Sequence, residues 1–253
     1  MIRLYDSHCH LDAPEFDADR EAVLTRARAA GVARQLVPAV ARPGWPKLKA
    51  LCAAEPGLRP AYGLHPMNLG EHRPEYLQDL AAWLAAERPA AVGECGLDFF
   101  VEGLDPRAQR EYFRRQLELA REFDLPVVLH ARRAVDEVIA GLRRVGGLRG
   151  VVHSWSGSEE QARQLFGLGF CLGIGGPVTF ERAQRLRRTV ARMPLEHLLL
   201  ETDAPDQPGA THRGRRNEPG FLPEVLRVVA QLRGVSEEAV AEATWANAER
   251  LFG

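Results

Sequence analysis

Eight short β-rich runs separated by helical patterns constrain this chain more than any other feature. The runs are RLYDSH (3–8), RQLVPAV (34–40), LRPAYGL (58–64), AAVGEC (90–95), PVVLHA (126–131), GVVHS (150–154), FCLGI (170–174) and HLLLE (197–201). Between them the apolar period changes to that of a helix: Val135, Val138, Ile139 and Leu142 recur at helical spacing, and Ser158 with Gln161 forms a capping box. Parallel strands need long, right-handed crossovers, so eight strands with helical connections in 253 residues predict an α/β fold, a (β/α)8 TIM barrel. A doubly wound open sheet would carry a glycine-rich phosphate turn after its first strand, and DSHCHLD has none. No linker, repeat or low-complexity tract divides residues 1–253, so one barrel domain is expected, finished by helices within 219–253, one of them following Ser236. The aperiodic stretch DAPDQPGATHRGRRNEP (203–219) follows the eighth strand and is expected to lie over the barrel mouth as a lid.

Charge and cysteine usage narrow the function classes. The formal net charge of −1 provides no global field to draw in nucleic acid or an anionic membrane, so any phosphate binding has to be local. Only Lys47 and Lys49 among 33 basic residues are lysines; the arginines suit bidentate phosphate contacts, but a biased genome composition explains the excess without them. Cys9, Cys52, Cys95 and Cys171 are scattered with no CxxC pair, which argues for reduced, packed thiols rather than disulfides or a thiolate zinc site. No apolar run reaches the roughly 18–20 residues that span a bilayer. With a strand starting at once and no room for a signal peptide, a cytoplasmic and monomeric protein is expected.

The chemistry-bearing residues gather at one end of the predicted barrel. His8 and His10 fall at the end of the first strand, Glu94 of the fourth, His130 of the fifth and His153 of the sixth, with Asp203 just past the eighth. Barrel enzymes bring such carboxyl-terminal strand ends together around the axis. His8 and His10, two apart, point to one side of an extended chain while Cys9 points away. Four imidazoles and two carboxylates exceed the ligand set of one catalytic ion and suit two divalent ions, Zn, Mn or Mg, sharing a bridging carboxylate. Such a pair polarises an ester or phosphodiester and activates water, which predicts a hydrolase.

The same residues carry a family resemblance. DSHCHLD, GLHP (63–66), GECGLDF (93–99), PVVLHAR (126–132), VHSWSGS (152–158), GGPVTF (175–180) and LLLETDAP (198–205), with NEP at 217–219 and the terminal NAERLF, resemble the TatD family of metal-dependent deoxyribonucleases along the full length. The resemblance implies a barrel of the metal-dependent hydrolase type acting on DNA, often from the 3′ end. It further implies that His8, His10 and Asp203 hold one ion, that Glu94 bridges, that His130 and His153 hold the second, and that Asp203 also serves as general base. His65 in GLHP is then expected at the substrate phosphate. Arg132, two beyond His130 on its strand, is expected at a phosphoryl oxygen, and Glu201, two before Asp203, behind the ligands or on a third ion. RGRR (213–216) is expected to be a solvated loop or to track a nucleic acid backbone.

Two departures bear on substrate. Trp155 stands in HSWSG where the family commonly has phenylalanine, and is expected either to stack on a base or to fill the barrel top; DQPG follows ETDAP where an aromatic and a proline are usual. The alternative is therefore an esterase or deacylase acting on a small-molecule or aminoacyl-tRNA ester with the same metal centre. A non-catalytic barrel used as a scaffold is disfavoured, because every expected ligand position is filled.

Overall fold

A computed structural model describes residues 2–253. Its eight strands are β1 (Leu4–Asp6), β2 (Val32–Pro38), β3 (Leu58–Tyr62), β4 (Ala91–Asp98), β5 (Val127–Arg132), β6 (Gly150–Val152), β7 (Phe170–Ile174) and β8 (Leu198–Leu200). They pair in parallel in sequence order. The crossovers carry α1 (Arg20–Ala29), α2 (Trp45–Ala54), α3 (Tyr76–Glu87), α4 (Pro106–Glu122), α5 (Val135–Val145), α6 (Glu159–Gly167) and α7 (Gln184–Arg192), and α8 (Leu222–Arg233) and α9 (Glu237–Phe252) follow β8. This is a TIM barrel. Past β1 the chain stays extended and joins first and last strand ends: Ser7 N–H donates to Leu200 O (2.9 Å), Asp203 N–H to His8 O (2.9 Å) and His10 N–H to Ala204 O (2.8 Å).

The barrel interior is a packed plug rather than a pore. One inward side chain comes from each strand in turn, namely Tyr5, Leu36, Ala61, Ala91, Val128, Val151, Cys171 and Leu199, and α9 closes that end with Ala248, Leu251 and Phe252. With apolar side chains filling the lower barrel, inward polar groups are left to the carboxyl-terminal mouth. A larger apolar shell lies between strands and helices, where Phe113, Leu117 and Ala120 of α4 and Val138, Ile139 and Leu142 of α5 are buried. The Ser158–Gln161 capping box at α6 forms in full, and Ser236 caps α9 through the Ala239 N–H. All four cysteines are free thiols.

Observed strands depart most from expectation at β4, which runs three residues further, to Asp98. Its ladder to β5 shifts register between Val92 and Cys95, so Glu94 stands within the strand and not at its end. Two glutamines of α4 act there like pieces of a neighbouring strand. Gln109 accepts from Asp98 N–H (2.8 Å) and donates to Asp98 O (2.8 Å), and Gln116 does the same for Leu64 (2.8 and 3.1 Å), which saturates backbone that the ladder leaves unpaired.

Residues 203–219 are not a free flap. Arg216 donates to both carboxylate oxygens of Asp19 (2.8 Å each) and Arg26 to both of Glu218 (2.8 and 2.7 Å), tying the segment to both ends of α1. Asn217 donates to Thr202 O (2.8 Å) and Asp206 O (2.7 Å). Arg216 of RGRR is thereby consumed in an internal pair, whereas Arg213 lines a small apolar recess with Phe180 and Pro208. No described helix is long and apolar enough to cross a membrane.

Candidate metal centre

The six residues expected to converge do so. On one side, His8 Nε2 lies 3.2 Å from Glu94 Oε2 and 3.5 Å from Asp203 Oδ1, and His10 Nε2 lies 3.4 and 3.8 Å from the same two oxygens. On the other, Glu94 Oε1 lies 3.2 Å from His130 Nδ1 and 2.8 Å from His153 Nε2. Glu94 therefore offers one oxygen to each donor set. Asp203 reaches its place through a left-handed backbone (φ 59°), a conformation aspartate tolerates better than most residues.

Hydrogen bonds behind the cluster orient its imidazoles. His10 Nδ1 is 3.1 Å from Pro38 O, so it carries a proton and Nε2 is the nitrogen that faces the cluster. His130 is inverted: its Nε2 donates to Asp98 Oδ2 (2.8 Å), leaving Nδ1 to face Glu94. Ring nitrogens point at one another, with His8 Nε2 and His10 Nε2 3.1 Å apart and His153 Nε2 and His130 Nδ1 3.4 Å apart. Among the described residues His8 Nδ1, His153 Nδ1 and Glu201 Oε2 are buried without partners. A convergent set of imidazole nitrogen and carboxylate oxygen fits first-row divalent ions and magnesium.

The field also calls for positive charge. Burial opposes protonation of His153 and His10, yet Glu94 and Asp203 outweigh it and lift these imidazoles to about 10 and about 9. His8, stacked on His153 with ring centroids 3.9 Å apart, is pushed down to about 4 by burial and by that neighbour. Glu94 is held well below the carboxylate range because His65, His153 and His8 overcome its burial. Burial raises Glu201 to about 8; it accepts from Ser154 N–H, and its Oε1 lies 3.9 Å from His153 Nδ1, behind the ligands.

The remaining expected residues take other places. His65 has both nitrogens engaged, Nε2 with Glu94 Oε1 (2.9 Å) and Nδ1 accepting from Met67 N–H (3.2 Å), so a phosphate contact would require one of these to break. Arg132 lines the cavity above the cluster, but its guanidinium lies on the Phe100 ring, 3.7 Å from the centroid. Trp155 is buried and belongs to the wall of the same cavity.

Three side chains that hydrogen-bond around the cluster were not singled out by the sequence. Asp98 is fully buried and belongs to the same β-run as Glu94; reading that run past Cys95 would have exposed the pair. Asp6 accepts from Thr202 N–H (2.9 Å), Thr202 Oγ1 (2.6 Å) and His8 N–H (3.3 Å), which locks β1 to the segment bearing Asp203. Gln207 donates to Asp203 Oδ2 and lies 2.8 Å from the Ser154 hydroxyl. Above them opens a cavity of about 1130 Å³.

Comparison with known proteins accords with this geometry. A family profile described as TatD related DNase matches residues 5–253. An uncharacterized metal-dependent hydrolase of Escherichia coli strain K12, YjjV, is 42% identical over 258 residues, covering 100% of this chain and 98% of that protein. A 3′-5′ ssDNA/RNA exonuclease TatD of Cronobacter sakazakii is 36% identical, covering 98% and 97%. The crystal structure of the YjjV TatD homolog from Escherichia coli K12 superposes with a TM-score of 0.96 at 39% identity, covering 99% of this chain and 98% of that one.

Proposed function

This chain belongs to the TatD related DNase family and is a metal-dependent hydrolase, and we propose that it cleaves phosphodiester bonds of single-stranded DNA from the 3′ end with two divalent ions. The observation that carries this reading is the division of Glu94 between two donor sets. His8, His10 and Asp203 with Glu94 Oε2 would hold one ion, and His130 and His153 with Glu94 Oε1 the other. Bound there, divalent ions supply Lewis-acid polarisation of the phosphoryl oxygens and acidify water.

The chain's own groups do the rest. Asp203 has one oxygen among the ligands, while Oδ2 meets the Gln207 amide. That second oxygen takes a proton from the attacking water as the new P–O bond forms, then returns it to the departing oxygen as the old bond breaks. Gln207 and Ser154 orient the carboxylate for this exchange. Arg132, on the cavity wall, offsets the charge of a non-bridging phosphate oxygen. Asp98 and Pro38 keep ligand protons turned away from the centre.

Incubating 5′-labelled single-stranded DNA with protein and Mg²⁺, Mn²⁺ or Zn²⁺ tests this. Progressive shortening is expected, and Asp203→Asn should lower the rate by at least roughly 10²-fold. Intact DNA in all three metals refutes the nuclease. Asp12, Glu15 and Asp206 line the cavity alongside Lys47, Arg132, Arg182 and Arg185, and this balance supports a second reading in which the same centre hydrolyses a small acyl ester or aminoacyl-tRNA ester. Turnover confined to acyl esters would select it.

A further inference from the structure

Three large apolar side chains stand out as exposed among the described residues: Met67, Phe100 and Val235. Two belong to the mouth, since Met67 follows β3 and lines the cavity and Phe100 follows β4. Phe100 is 44% exposed, although two guanidiniums lie on its ring, Arg132 at 3.7 Å and Arg133 at 4.6 Å from the centroid. Consecutive residues of a strand point to opposite faces, so two adjacent arginines would not ordinarily reach one ring. Here Arg133 has a left-handed backbone (φ 54°), which turns the chain at the end of β5 and returns the second guanidinium to Phe100. Among the described residues neither guanidinium has a carboxylate partner, so both positive charges remain available at the rim.

This patch is also in register with the metal centre. Asp98, whose Oδ2 takes the His130 Nε2 proton, uses Oδ1 to accept from Phe100 N–H (2.9 Å) and Val101 N–H (3.0 Å). One buried carboxylate thus sets both the imidazole facing Glu94 and the turn that presents the aromatic ring. Arg132 spans the two, lining the cavity and laying its guanidinium on the ring.

We propose that Phe100, flanked by Arg132 and Arg133, is a stacking subsite for one nucleobase of a single strand whose phosphodiester lies over the Glu94 cluster. The proposal rests on the phosphodiesterase function above and adds how the strand is gripped. An aromatic face accepts any base once a guanidinium swings off the ring to pair with a flanking phosphate, so the subsite gives affinity without sequence preference. A base–aromatic stack of this kind changes affinity by roughly 5- to 150-fold.

The test pairs Phe100→Ala and Phe100→Trp with 5′-labelled oligonucleotides that are either normal or abasic over their last three positions at the 3′ end. Wild type should lose about ten-fold in KM on the abasic strand, Phe100→Ala about ten-fold on the normal strand, and the two losses should not add. Phe100→Trp should restore binding of the normal strand. A structural role of Phe100 would instead penalise both strands equally, and that outcome, or a wild-type KM for Phe100→Ala, overturns the subsite. Fluorescence anisotropy of a labelled normal strand on Asp203→Asn, with and without Phe100→Ala, separates binding from turnover. Phe100-dependent binding without cleavage by wild type would sink the nuclease and keep the subsite; cleavage with Phe100-independent binding would do the reverse. Absence of both removes both.

Discussion

Replacing Asp98 by asparagine keeps the shape of the side chain and removes one hydrogen-bond acceptor from a buried group that needs two. The carboxylate receives three donors, His130 Nε2–H at 2.8 Å and the Phe100 and Val101 N–H groups at 2.9 and 3.0 Å, and these hydrogen bonds, against the opposing effect of burial, hold it down at about 2. Asparagine has a single oxygen. If it faces His130, the amide NH₂ opposes two backbone donors, at a cost of about 1–3 kcal/mol for each group left unsatisfied. If it faces the backbone, only His130 has to respond, by moving its proton from Nε2 to Nδ1. The second arrangement is cheaper, and it aims an N–H at Glu94 Oε1 from the nitrogen that would ligate an ion. Loss of an outer partner typically weakens metal binding about 10- to 100-fold, or about 1.4–2.8 kcal/mol. Calorimetric titration of Mn²⁺ into Asp98→Asn should show one weakened class of site and one unchanged, and ¹⁵N spectra of the metal-free protein should place the His130 proton on Nδ1. Wild-type affinity at both sites, with the proton still on Nε2, would refute the claim that Asp98 selects the tautomer.

Other perturbations have equally definite outcomes. A methyl group at Gly173 would fall 1.9 Å from Glu201 Oε2, whereas one at Gly167 meets nothing within 4 Å. Gly173→Ala should therefore cost about 1–3 kcal/mol and lower Tm by roughly 2–4 °C per kcal/mol, with Gly167→Ala nearly neutral by thermal melting. Metal added at about a hundred times its Kd should stabilise the fold by about 2.7 kcal/mol relative to protein in EDTA, read as a rise in Tm that His153→Ala reduces; superimposable melts would argue against a folded-state metal site. The Asp19 carboxyl is held below its ordinary value of 3.8, chiefly by the hydrogen bond from Arg216. A carboxylate with a depressed folded value contributes its stabilisation above the ordinary value and loses it as pH falls through the folded one. Protection factors of the amides in residues 210–218 should thus stay level from pH 8 to 5 and fall below about pH 4, and Arg216→Ala should lower them at every pH.

Much of the fold was legible because periodicity is a local property. The helical spacing around Val135–Leu142, the Ser158–Gln161 box and the eight β-rich runs each report local structure within a few residues, and the barrel follows once all eight strands must be parallel. Strand ends were less legible. The run containing Glu94 was expected to stop at Cys95, and its continuation to Asp98 depends on the β5 ladder and on Gln109 of α4, neither of which leaves a mark in the local pattern.

By itself the sequence determined which residues meet. His8, His10, His153 and Asp203 lie just past the ends of β1, β6 and β8, while Glu94 and His130 stand within β4 and β5, and closing the barrel brings these stretches around one axis whatever their separation along the chain. Only the tertiary structure decided how they meet. That His130 turns Nδ1 inward while His10 turns Nε2 follows from Asp98 and Pro38, 32 and 28 residues away. That Arg216 is spent on Asp19 while Arg132 and Arg133 share Phe100 follows from neighbours on other elements. A tautomer, an ion pair or a stacked ring is set by atoms within about 4 Å in space, and strand spacing carries no record of which remote residues supply them.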